Sequence, residues 1–206
     1  SNGAALVAND MHLSLRVPNI WFRARFIYPH PNEAGSKIDV SGATLPGVPA
    51  IVVGSNGNIA WSFTNSYIDI ADWVRVVLHP KNSALYHYEG EWKSLLTFQE
   101  TLRVRDAEDE FLEIQETEWG PILAYDHDGI PLALNWVAQH RDAADLKLVH
   151  LELAANVDQA LGTAQQSGIP AQNFIVGDRK GNIGWTIAGR IPVRSGNYDP
   201  QLPADW

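Results

Sequence analysis

One pattern occurs twice in this chain and constrains its fold more than any other feature. Val53-Gly54-Ser55-Asn56-Gly57-Asn58-Ile59-Ala60-Trp61 is echoed by Val176-Gly177-Asp178-Arg179-Lys180-Gly181-Asn182-Ile183-Gly184-Trp185. Each copy is an apolar run, a turn and a returning Gly-Asn-Ile-x-Trp. Asn-Gly between apolar strands is the strongest short hairpin signal. A single copy would be an ordinary turn; two predict paired hairpins in one sheet system, not a solenoid repeat.

The rest of the chain reads mostly as strands and turns. Ala4–Ala8 is a short apolar run, Ile20–Tyr28 an extended strand and Pro29–Ser41 a loop rich in turn formers. Trp73–Leu78 and Pro131–Val137 are predicted strands. Leu85–His87 with Trp92–Phe98 around Glu89-Gly90 forms a second hairpin, and Thr101–Arg105 with Phe111–Glu118 a third. Val157–Gln166 is the predicted helix, capped by Asn156 and closed by Gly168 before Pro170. No linker separates two domains. The tail Ser195–Trp206 is polar and contains proline, as in a chain stopped in mid-architecture.

Composition excludes several classes. With 206 residues and 45% apolar content the chain can bury a core. A net charge of -9 and a pI near 5.1 argue against a nucleic-acid partner, which needs a basic face. No apolar run of about 18 residues occurs, so no membrane-spanning helix is expected, and Ser1–Asp10 lacks the basic start and apolar stretch of a secretory leader. The absence of cysteine removes disulfides, thiol nucleophiles and cysteine-based zinc sites. His30, His79, His87, His127, His140 and His150 show no metal-ligand spacing, and Asp106–Glu110 reads as a solvated acidic turn.

Four ordered stretches carry a resemblance. They are Leu6-Val7-Ala8-Asn9-Asp10-Met11-His12-Leu13 with Val17-Pro18-Asn19-Ile20-Trp21; Gly42–Pro49 running into Gly54–Asn65; Trp119-Gly120-Pro121-Ile122; and Asn173 through Gly184-Trp185 to Gly189-Arg190-Ile191-Pro192-Val193-Arg194. Each alone is weak, but the ordered set resembles the penicillin acylase family over nearly the whole chain. That family comprises hydrolases whose precursor cuts itself into two chains, the β chain beginning with the catalytic serine. The resemblance implies an α+β fold, the αββα four-layer sandwich of N-terminal-nucleophile hydrolases, of which residues 1–206 would form a single, partial, β-rich domain from the N-terminal part of the β chain. It implies hydrolysis of N-acyl amides such as penicillins, acyl-homoserine lactones or acylated lipopeptides. The implied partners are an α chain from the same precursor and the remainder of the β chain, and the implied location is the periplasm or outside the cell.

The same resemblance implies roles for individual residues. An N-terminal serine can attack while its own α-amine, of ordinary pKa near 8, takes the hydroxyl proton. Ser1-Asn2 matches such a start. However, the segment matching Asn9-Asp10-Met11-His12 lies roughly ten residues further from the serine in the family, so Ser1-Asn2 also reads as a hairpin turn or a tag remnant. His12 matches a polar position beside the serine, a role that competes with that of a hydrogen-bonded core histidine. Asn65 matches the residue whose backbone N–H forms half of the oxyanion hole and Asn173 the one whose side-chain amide forms the other half. Arg194 matches an arginine that holds the catalytic asparagine or the substrate. Asp69 and Asp72 match calcium ligands in some members, although calcium takes six to eight oxygens. Trp61, Phe63 and Tyr67, with Tyr28 and Trp73, are candidates for aromatic pocket walls or for core packing. A reading from another class is a β-rich module that binds a carbohydrate or other ligand without catalysis, its aromatics stacking on sugars.

Overall fold

The computed structural model describes every residue except Ser1, Asn2, His12, Leu15, Asn197, Tyr198, Pro200 and Trp206. The strands in chain order are β1 (Phe22–Pro29), β2 (Lys37–Thr44), β3 (Val53–Ser55), β4 (Ile59–Asn65), β5 (Ala71–Arg75), β6 (Leu78–His79), β7 (Asn82–Tyr88), β8 (Glu91–Ser94), β9 (Leu96–Leu102), β10 (Glu110–Thr117), β11 (Gly120–Tyr125), β12 (Pro131–Trp136), β13 (Gln172–Asp178) and β14 (Ile183–Ala188). One α-helix, α1 (Val157–Gln166), and two 3-10 segments, Val137–Gln139 and Lys147–Leu153, complete the described elements. The chain divides into two compact units, residues 1–69 with 141–191 and residues 70–140 with 192–206.

The first unit holds an antiparallel sheet of order β1-β2-β3-β4-β13-β14. The two echoed hairpins, β3–β4 and β13–β14, join in it through the β4–β13 ladder, as the repeated pattern predicts. Directly opposed residues share a face and neighbours in sequence alternate. Trp61 stands opposite Val176 and Phe63 opposite Phe174. With Ile38, Val40, Ile59, Ala160, Ala164 and Leu151 they build the core on the face covered by α1 and the Lys147–Leu153 segment.

The two copies of the pattern show opposite faces to that core. Ile59 and Trp61 are each 2% exposed, whereas Ile183 and Trp185 are 78% and 61% exposed on the edge strand. In the second copy it is the residue between them, Gly184, that faces the helix. A Cβ there would lie 2.6 Å from Val157 Cγ1 and 3.0 Å from Leu161 Cδ1, so glycine lets α1 sit directly on β14.

The turns are fixed by side chains. Asn56 Oδ1 accepts from the N–H groups of Asn58 and Ile59, at 2.9 and 3.0 Å, and its Nδ2 donates to the carbonyls of Leu151, Glu152 and Ala154. Asp178 Oδ1 accepts from the N–H groups of Lys180 and Asn182. Its carboxyl sits below the ordinary range because of the Asn182 side-chain hydrogen bond, the N–H groups of its own turn and that of Val157 at the start of α1. Glu152 is buried yet satisfied: the Tyr28 hydroxyl donates to one carboxylate oxygen at 2.6 Å and the Ile51 N–H to the other at 3.3 Å. Desolvation and that carboxylate push the Tyr28 hydroxyl well above its usual pKa.

Residues 5–11 cross the opposite face of this sheet without forming a regular strand. Ala5 N–H donates to Asp178 O at 3.1 Å, and Ala5 and Val7 lie over Gly177. Val7 and Asn9 border a 310 Å³ hollow above Ser55 and Ala60, and Met11 borders another beside Arg23 and Ala43.

The second unit has an antiparallel sheet of order β5-β12-β11-β10-β9 and a smaller one, β6-β7-β8. Val76, Tyr86 and Ala133 form its buried core, with Tyr88, Trp119 and Ile122 against them. The Trp119-Gly120-Pro121-Ile122 stretch is a structural device here. Thr117 pairs with Gly120, so Glu118 and Trp119 make a tight turn that lodges Trp119 against Tyr88 (5.1 Å) and Tyr86 (5.9 Å). Gly120 has φ 137°, which glycine alone adopts readily.

Several expectations need correction. Pro29–Ser41 is not one loop: Lys37–Ser41 belongs to β2, where Ile38 and Val40 alternate into the core. Trp73–Leu78 is broken between β5 and β6. The second arm of the Glu89-Gly90 hairpin ends at Ser94, and Leu96–Leu102 pairs instead with β10. Strand β11 and both 3-10 segments were not foreseen. Helix α1 matches its expected bounds, with Asn156 accepting from the Gln159 N–H. Gly168, however, serves close packing, since a Cβ there would lie 2.9 Å from both Asp142 O and Asp145 N. In the tail, Ala204 is buried and bridges to Val74 of β5.

Candidate active site

Asn173 is the second residue of β13, opposite Thr64 on β4 and Ile187 on β14. Strand alternation puts it on the face crossed by residues 5–11, away from α1. Its Nδ2 donates to the Asn65 carbonyl at 3.0 Å, and its Oδ1 accepts from the Trp185 indole N–H at 3.0 Å. Asn65 is the last residue of β4, next to Asn173 across the ladder. The structure therefore brings together both residues singled out as oxyanion donors. Beyond them the chain turns outward: Ser66 Oγ donates to Ala171 O at 2.7 Å, and Tyr67 takes a positive φ of 51° and is 92% exposed.

Other candidates fall elsewhere. Trp61 is a core residue whose indole N–H donates to Val52 O at 2.9 Å. Phe63 is half-buried and tilts against Phe174 at 5.2 Å. Both lie on the helix-covered face, because odd-numbered β4 positions point away from the face of Asn173. Of the aromatic candidates for pocket walls, these two are therefore core packing in this chain, and Tyr28 is spent on Glu152. Ser1 and His12 lie outside the described residues.

Arg194 and Asp72 belong to the second unit and pair with each other, Arg194 Nε lying 3.1 and 2.9 Å from the two carboxylate oxygens. That contact bears on calcium. Both oxygens of Asp72 face a guanidinium, and neither Asp69 nor Asp72 belongs to a group of three or more metal-ligand side chains among the described residues. The donor set present does not by itself fit the ion. The grouping of metal-ligand side chains found among the described residues is Asp126, His127 and Asp128. There Asp126 Oδ1 accepts from the N–H groups of Asp128 and Ile130, and its other oxygen lies 3.1 Å from Arg75 Nη2, so the arrangement is a hydrogen-bonded turn. No helix among the described residues is long and apolar enough to cross a membrane.

Sequence reasoning missed Trp185 as a neighbour of Asn173. The signal was present in the repeated Gly-Asn-Ile-x-Trp, whose second Trp stands opposite Ile175 and hence diagonal to Asn173 on the same face.

A family profile described as penicillin amidase matches residues 1–206. The acyl-homoserine lactone acylase QuiP of Pseudomonas syringae pv. syringae (strain B728a) is 31% identical over 199 residues, taking in 94% of this chain and 23% of that protein. Penicillin G acylase of Escherichia coli is 29% identical over 180 residues, 84% of this chain and 21% of its own length. The solved structure of a thermostable penicillin G acylase from Alcaligenes faecalis matches with a TM-score of 0.76 at 25% identity, over 92% of this chain and 33% of that one. This chain thus spans about a quarter of the length of these curated relatives.

Proposed function

Since the chain belongs to the penicillin amidase family, we propose that it is the oxyanion-binding part of a hydrolase that cleaves N-acyl amides, with acyl-homoserine lactones the first substrate class to test. The observation that carries this reading is the pair at the end of β4 and start of β13. Asn173 holds its amide against the Asn65 carbonyl on a face open to solvent, with one Nδ2 hydrogen engaged and a second left for a ligand oxygen. In the reaction a serine hydroxyl attacks the acyl carbon and passes its proton to the α-amine of the same serine. The carbonyl oxygen gains negative charge, and the Asn173 amide with the Asn65 N–H stabilises it. The tetrahedral intermediate then collapses to an acyl-serine ester and expels the amine, which leaves with the proton; water attacks that ester in turn, releasing the acid and restoring the serine hydroxyl. Neutral donors suit this step because they hold an alkoxide without surrendering a proton to it.

The names of the relatives support the substrate class: acyl-homoserine lactone acylase and penicillin G acylase both describe amide cleavage. In this proposal the second sheet of an αββα sandwich, an α chain from the same precursor and the rest of the β chain complete the site. Exposed Ile175, on the face of Asn173, and Tyr67 contribute to its acyl wall. His12 orients the serine amine. Calcium, if bound, would be held by Asp69 and Asp72 together with oxygen ligands from outside this chain. The periplasm is the proposed location.

The test is turnover by the full-length processed protein on a panel of acyl-homoserine lactones and acyl amides. Asn173→Ala is expected to cut kcat by about 10²–10³-fold with little change in KM. No turnover on any panel member, or an undiminished kcat in that variant, sinks the reading. Mass spectrometry of the mature N-terminus against the gene decides the status of Ser1. A β chain that begins at Ser1 makes it the nucleophile; a serine further upstream makes Ser1-Asn2 a turn.

A further inference from the structure

The amide of Asn173 is held from both ends, and only one of its two orientations satisfies both holds. The Trp185 indole N–H donates to Oδ1 and the Asn65 carbonyl accepts from Nδ2, each at 3.0 Å. Turn the amide over and the NH2 group meets the indole N–H, donor against donor. At the same moment Oδ1 meets the Asn65 carbonyl, acceptor against acceptor. Both hydrogen bonds are lost together, so each neighbour enforces the same choice.

We infer that Trp185 is a positioning residue for acyl-amide hydrolysis: its indole N–H fixes which end of Asn173 faces the oxyanion. The inference rests on the proposed role of Asn173 as an oxyanion donor. A flipped amide would present an oxygen lone pair to the developing alkoxide and so oppose the step it should assist. The ladder explains the reach. Trp185 stands opposite Ile175, which places it diagonal to Asn173 on one face, a spacing that a long aromatic side chain spans. Burial points the same way. At 61% exposed, the ring adds little to the core of this unit, in contrast to Trp61 at 2%. What Trp185 supplies that phenylalanine could not is the donor on its nitrogen.

The experiment replaces that donor alone, in the full-length processed protein. Trp185 becomes benzothienylalanine, which keeps the bicyclic ring and puts sulfur where the N–H was, and in parallel Trp185→Phe. Expected are a fall in kcat of about 10-fold, smaller than the 10²–10³-fold of deleting an oxyanion donor outright, and an unchanged KM and Tm. Affinity for a phosphonate mimic of the tetrahedral intermediate falls by the same factor, while affinity for the product acid holds. Site-specific 5-fluorotryptophan, which retains the N–H, restores the rate.

A wild-type kcat in the benzothienyl protein overturns the inference. So does an equal loss of affinity for both ligands together with a lowered Tm, which would mark a packing role. The two failures are separable. If Asn173→Ala keeps its rate, the oxyanion reading itself falls and takes Trp185 with it. If Asn173→Ala is dead and the benzothienyl protein is fast, only the role of Trp185 falls.

Discussion

Asn56 shows how much one amide can organise. Its Nδ2 meets three carbonyl oxygens, those of Leu151, Glu152 and Ala154, and its Oδ1 meets two N–H groups of its own turn. Asn56→Ala strips all of these and is expected to cost about 1–3 kcal/mol. Asn56→Asp keeps the size yet points a carboxylate at three carbonyl oxygens, so it should be the worse of the two. Urea midpoints rank them, and an aspartate variant as stable as the alanine one would refute the account. Asp178 supplies a pH test. Hydrogen bonds from Asn182 and the surrounding N–H groups hold its folded pKa below the unfolded value of about 3.9. A depressed carboxylate contributes in full above that unfolded value and loses its contribution as pH falls through the folded one. Asp178→Asn should therefore be less stable than the parent at pH 7, with the gap closing below about pH 4. Urea melts at pH 7 and pH 3 measure it; a gap of equal size at both would show that charge is not the cause.

At the scale of elements, Gly184 is where helix and sheet meet. Gly184→Ala drives a methyl into Val157 and Leu161 and is expected to lower stability by about 1–3 kcal/mol, read from thermal melts. The matching position of the first hairpin is Ala60, which faces away from α1 and has no helix to admit. Much of this level was legible in the sequence. Asn-Gly and Lys-Gly-Asn gave the turns, Asn156 gave the helix start, and the ordered motifs singled out Asn65 and Asn173 as the two halves of one oxyanion hole, although not the strands that join them. What escaped has physical causes. Motif likeness carries no information about which face a side chain takes, so Trp61 and Phe63 looked like pocket walls until strand alternation turned them to the core. Turn formers in 29–41 masked the alternation of Ile38 and Val40. Arg194 and Asp72 lie 122 positions apart, and no local rule pairs residues at that distance.

At the scale of the molecule, the first unit is assembled from two stretches of sequence with the bulk of the second unit between them. Its sheet is buried on the α1 side by Val40, Trp61, Phe174 and Val176. In the second unit, by contrast, β9 is exposed along its whole length, with Leu96, Phe98 and Leu102 on one face. Hydrogen exchange should follow that difference: amides of β2, β4 and β13 are expected to exchange slowest, and those of β9 several orders of magnitude faster. Equal protection across these strands would contradict it. The β4–β13 ladder also has a consequence in time. Phe63 pairs with Phe174, about 110 positions later in the chain. At roughly 5–20 residues per second, a ribosome makes β4 some 5–20 s before it makes the strand that closes on it. For that interval the edge of β4 stays open, and a pause in translation over residues 70–171 would lengthen the exposure and favour aggregation of the nascent chain.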